Sequence, residues 1–106
     1  MAKAKAYKVL VFPSAQKDLT EIKTYYTNVL KTQSNAIFEK FLEQIKLLKE
    51  FPTVYPVHSD PFLRLIQYRV FSIDNYLVFY VIKNDEVQIH RVIFAKRNYI
   101  DLLKLK

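Results

Sequence analysis

The residues of this chain that can act on another molecule are basic and aromatic, and they gather in its second half. Arg64, Tyr68, Arg69, Phe71, Tyr76, Tyr80, His90, Arg91, Lys96, Arg97 and Tyr99 interleave cations with rings. Cations neutralise phosphates and flat rings stack on exposed bases, so the combination suits single-stranded nucleic acid. The stretch RVIFAKRNY, Arg91 to Tyr99, runs from an apolar strand straight into positive charge. The formal net charge of the chain is +7. Such a surplus favours a polyanionic partner: nucleic acid, the ribosome or an acidic protein.

Other chemistries are poorly supplied. Cysteine is absent, which removes disulfides, thiolate metal sites and cysteine nucleophiles. Glycine is also absent, against an average usage of about 7%. No Walker loop or dinucleotide fingerprint can be built without it. Ser14, Ser34, Ser59 and Ser72 likewise lack the glycine that a nucleophile elbow needs. His58 and His90 are the only histidines, and neither has an acidic residue at metal-ligand spacing. No metal and no other cofactor is expected.

The elements that must position these side chains follow from periodicity. YKVLVF, Tyr7 to Phe12, reads as a strand. Ser14 is the expected cap of a first helix, with Asp18 near its positive end. Ala15, Leu19, Ile22, Tyr26 and Val29 fall on one face of it. Lys31 to Asn35 is a polar break in which Ser34 is the expected cap of a second helix. That helix buries Ile37, Phe41, Ile45 and Leu48, widened by Phe38 and Leu42, and Pro52 ends it. A proline-rich connection, Phe51 to Pro61, leads to three strands. These are LIQYRVFSI, YLVFYVI and VQIHRVIF, with turns at Asp74-Asn75 and Asn84-Asp85. Tyr76 and Tyr80 are expected in the core. A short helix or tail closes the chain.

Alternation along the last strand puts Gln88, His90, Val92 and Phe94 on one face and Val87, Ile89, Arg91 and Ile93 on the other. His90 then points to the face without helices. Arg91, among aliphatics, needs a strand edge or an acid on the helices. The fold class is α+β: a small antiparallel-type sheet, β-α-α-β-β-β along the chain, with a helical hairpin on one face. At 106 residues this is one domain, 1–106. No segment approaches the roughly 20 apolar residues that span a bilayer, and the apolar run near the N-terminus is too short for a signal peptide. The reading is a soluble cytoplasmic protein with no membrane partner.

YKVLVFPSAQKDLTEI, LLKEFPTVYP and YRVFSIDNYLVFYVIKNDEVQIHRVIFAKRNYIDLL, in this order, resemble the RelE/ParE superfamily of type II toxins over nearly the whole chain. The resemblance implies an acidic antitoxin as cognate partner. RelE-like members cut mRNA on the ribosome without a metal, the ribose 2′-OH attacking the adjacent phosphate. ParE-like members poison DNA gyrase. A RelE-type site carries an arginine directly after the tyrosine of the third-strand motif; in NYLVFY that place is Leu77. The basic residue after the last strand matches at Arg97, with Lys96 beside it. Tyr99 is the nearest counterpart of the catalytic tyrosine, at a shorter spacing. Arg69 lies on the strand where RelE-type toxins carry lysines.

Two readings follow. In the first, an mRNA endonuclease, Arg69, Lys96 and Arg97 hold the scissile phosphate while Tyr99 or His90 moves protons. In the second, the same basic segment contacts gyrase or DNA without catalysis.

Overall fold

A computed structural model describes residues 6–29 and 35–104. The elements run β1 (Lys8–Val11), α1 (Pro13–Thr24), a π-helical turn (Tyr25–Val29), α2 (Asn35–Glu50), α3 (Pro61–Ile66), β2 (Arg69–Ile73), β3 (Tyr76–Lys83), β4 (Glu86–Phe94) and α4 (Tyr99–Lys104). Lys31 to Ser34 of the polar break expected before α2, the Ser34 cap included, lie outside the described residues, and Asn35 opens α2.

The four strands form an open sheet in the order β1-β4-β3-β2. β2, β3 and β4 make the expected antiparallel meander, and β1 joins β4 in parallel, so the sheet is mixed. The turns fall where Asp74-Asn75 and Asn84-Asp85 put them. Asp74 and Asn84 take positive φ of 53° and 57°. Without glycine these positions fall to the residues whose short polar side chains tolerate the left-handed region best.

α1 starts differently from expectation. Phe12 is the N-cap without a side-chain bond, and Pro13 occupies the first turn, where its missing N–H costs nothing. Ser14 is freed from capping and its hydroxyl donates to the His90 carbonyl, 2.6 Å away. α1 and α2 cover one face of the sheet. Ala15, Ile22, Ile37, Phe41 and Leu48 pack there against Phe71, Ile73, Val78, Tyr80, Val87, Ile89 and Val92. Val29 and Leu42, expected in the helical stripes, are exposed. For Val29 the cause is the π-helical turn, which shifts the residues after Thr24 off the 3.6-residue period.

The opposite face, expected to be free, is covered by the chain itself. Leu65 and Ile66, read as the start of a strand, instead end α3, which begins at Pro61, the last residue of the expected connection. Asp60 caps it through Phe62 N–H and Leu63 N–H, Pro61 fills its first turn, and Gln67 ends it at φ 70°. α3 and α4 close a second core in which Leu63, Tyr68, Phe79, Val81, Ile93 and Leu103 are buried. Both faces of β3 are thus dry, which accounts for its unbroken apolar run.

Candidate functional site

β4 determines where the expected site residues go. Phe79 pairs with Arg91 and Tyr80 with Ile89, so His90 has no partner on β3. This β-bulge inserts one residue and reverses the alternation beyond it. Val87 and Ile89 face α1 and α2 before the bulge, and Val92 faces them after it, with Ile93 on the opposite side. The strict two-residue period expected along the strand is broken at that point.

His90 is consequently buried, at 8% exposure, rather than presented on a free face. Its ring stacks on Phe12 with centroids 4.5 Å apart. Its Nδ1 lies 2.9 Å from the Tyr68 hydroxyl and its Nε2 3.3 Å from Gln88 Oε1. A cavity of about 240 Å³ adjoins it, bounded by Phe12, Ser14, Tyr68, Leu102 and Leu103. Burial raises the Tyr68 pKa, and the nearby Arg91 opposes that rise. No expected phosphate-binding cation reaches this place.

Arg91 takes the acid on the helices that its aliphatic surroundings demand. Its Nε and Nη2 donate to the two oxygens of Asp18 at 2.7 and 3.1 Å. Asp18 also accepts the Val92 backbone N–H at 2.8 Å. The carboxylate therefore serves the bulged strand, not the helix end to which it was assigned from sequence. The Asp18 hydrogen bond raises the Arg91 pKa further, and the guanidinium stays charged.

The other expected cations and the tyrosine separate. Arg69 pairs with Tyr80, and Phe71 and Ile73, two and four residues on, are buried against α1 and α2. Arg69 belongs to that face. Its Nη1 donates to the Tyr55 carbonyl at 2.6 Å, closing the edge of the core. Lys96 and Arg97 lie in the exposed turn after β4, which Ala95 N–H ties to the Asn75 carbonyl and Arg97 N–H to the Phe94 carbonyl. Arg69 is level with Ile89, whereas Phe94 is level with Tyr76. Four ladder steps at 3.3 Å put Arg69 about 13 Å along the sheet from the strand end that carries Arg97, and two strands across. Tyr99 opens α4 on the second face. Its hydroxyl is 3.5 Å from His58 Nε2 and its ring packs 5.4 Å from Phe79. Leu77 packs on the same face, beside a groove lined by His58, Val70 and Ser72.

Arg97 instead reaches a cleft of about 180 Å³ between α1 and the end of β4, where Asp18, Glu21, Tyr25, Tyr76 and Arg91 meet it. Burial, then the neighbouring Tyr26 and Tyr25, raise the Tyr76 pKa. Sequence reading missed Tyr25 and Glu21, because the apolar spacing runs on through Tyr26 and Val29 and gives no sign of the π-helical turn. Among the described residues no three of His, Asp or Glu come together as metal ligands. No helix among them is long and apolar enough to cross a membrane.

The model of the family described as "ParE toxin of type II toxin-antitoxin system, parDE" matches residues 9–99. No curated protein matches the chain. Among solved structures, the fold is similar to a chain of the chromosomal ParDE toxin–antitoxin system from P. aeruginosa. The TM-score is 0.67 at 18% identity, covering 86% of this chain and 98% of that one. The family match spans β1, both helices of the first face, α3 and the whole meander, ending at the first residue of α4. The chain belongs to the ParE toxin family, as the toxin component of a type II toxin–antitoxin system with an antitoxin as its partner.

Proposed function

We propose that the protein poisons DNA gyrase by binding, with no phosphoryl chemistry of its own, in the cytoplasm where gyrase works, and that an acidic antitoxin relieves it. The observation that carries this reading is the dispersal of the groups a metal-free RNA cut requires. Such a cut needs a base within hydrogen-bond reach of the 2′-OH and cations around one phosphate. Arg69 is tied to the Tyr55 carbonyl on the face of α1 and α2. His90 is buried under Phe12. Tyr99 stands on the second face and Arg97 beside α1. Leu77 holds the place of the arginine. Membership of the ParE branch supports the same target. The net charge of +7 supports an acidic partner.

The test runs two assays on one purified protein. Incubation with gyrase and supercoiled plasmid, followed by detergent and protease, should release linear DNA. Messages in a translating extract should stay intact. Cleavage inside translated messages, abolished by Arg97→Ala, with no gyrase-dependent DNA breaks, overturns the proposal in favour of ribosome-dependent mRNA cleavage.

A further inference from the structure

We propose that the cleft between α1 and the end of β4 binds single-stranded nucleic acid, with a base stacked on Tyr25 and neighbouring phosphates held by Arg97 and Lys96. Tyr25, Tyr76 and Phe94 line an apolar compartment of about 290 Å³ next to the polar one that Arg97 reaches. Tyr76 and Phe94 are half-buried and in edge contact at 5.7 Å. Tyr25 remains 46% exposed, a flat ring left in water at the mouth. The π-helical turn that begins at Tyr25 sets it there. Of that turn only Tyr26 packs against the core, half-buried, while Tyr25, Thr27, Asn28 and Val29 are exposed. Turns of this kind recur where a helix carries a functional group.

The charges favour a polyanion. Asp18 is committed to Arg91 and to Val92 N–H. Glu21 also lies close enough to Arg91 to strengthen its charged state. Arg97 has no ion pair among the described residues, and Lys96 beside it is exposed. Arg97 thus stands unmatched in the cleft with the three rings, and Lys96 is its neighbour in the exposed turn. The floor of the cleft, with Asp18, Glu21 and Arg91, is too polar for a dry apolar anchor from a protein. A nucleobase, with a π-face and polar edges, suits rings on the wall and charges on the floor. Glu21 opposes an incoming phosphate, and this gives the test a second sign.

Fluorescence anisotropy of a fluorescein-labelled dT12 oligonucleotide with the full chain reads the site directly. Two phosphate contacts at about −0.7 each give a log–log salt slope of about −1.4, or roughly a sevenfold loss of affinity from 50 to 200 mM salt. Tyr25→Ala should weaken binding about tenfold at an unchanged slope, while Tyr25→Phe retains it. Arg97→Gln should halve the slope, to about −0.7, and Glu21→Gln should tighten binding. All three positions are on the surface, and circular dichroism verifies the fold of each variant. No anisotropy change at 50 mM salt overturns the inference. So does wild-type affinity in Tyr25→Ala. Competition by poly-glutamate as strong as by unlabelled dT12 would make the surface an anion patch for proteins, and also overturns it. Gyrase-dependent DNA breaks are scored separately, so the two proposals fail independently.

Discussion

Asp18→Ala should be the most damaging single substitution outside the apolar core. The carboxylate accepts three hydrogen bonds at once, two from Arg91 and one from the Val92 backbone, at 2.7, 3.1 and 2.8 Å. Removing it leaves a buried N–H unsatisfied, at a cost of about 1–3 kcal/mol. It also strands a guanidinium. Breaking a fully buried pair costs about 3–5 kcal/mol. The Arg91 side chain is 25% exposed, so water recovers part of that. The two contributions together give a loss of about 3 kcal/mol. With an m-value of about 1.2 kcal/mol/M, the urea midpoint should fall by about 2.5 M. Asp18→Asn keeps an acceptor for Val92 and should lose about half as much. In a double-mutant cycle with Arg91→Met, followed by circular dichroism in urea, the two sites should couple by more than about 1 kcal/mol. Additivity within about 0.5 kcal/mol would show that Asp18 and Arg91 do not act as a pair, and the account of the bulged strand would fail.

Tyr80 provides a pH test. Its buried hydroxyl donates to the Pro52 carbonyl at 2.7 Å, and burial pushes its pKa up to about 12 from the ordinary 10.0. The folded state then holds a proton that the unfolded chain releases. Stability should be level below pH 10 and fall by about 2 kcal/mol as pH rises toward 12. Tyr80→Phe should cost about 1–2 kcal/mol at neutral pH and lessen the alkaline decline in the urea midpoint. Leu77→Arg restores the arginine of the RelE-type pattern but puts a charge on a half-buried face against the second core. It should destabilise by about 1–2 kcal/mol and produce no mRNA cleavage in a translating extract, because Arg69 and His90 remain out of reach. Cleavage by this variant would refute the argument from dispersal.

The sequence carried the sheet meander, its two turns and α2, since these rest on local period and turn chemistry. Arg91 was also legible: a guanidinium among aliphatics on a strand requires an acid, and Asp18 on the neighbouring helix supplies it. α3 was partly legible, because Asp60-Pro61 is a cap followed by a first-turn proline, but the apolar run that follows suits a strand equally well. The His90 bulge was not legible. No residue type announces an inserted position, and one extra residue reverses every side chain after it.

By itself, then, the sequence determined the class of fold, the helix-covered face and the surplus of positive charge, because composition and periodicity are local properties. Only the tertiary structure decided which cations share a surface. Arg69 and Arg97 both follow from a basic, aromatic reading of the second half of the chain. Strand parity turns Arg69 toward α1 and α2, the bulge buries His90, α3 and α4 cover the second face, and the π-helical turn brings Tyr25 to Arg97. Each of these depends on register between segments far apart in the chain, and a linear pattern of residues does not encode that register one position at a time.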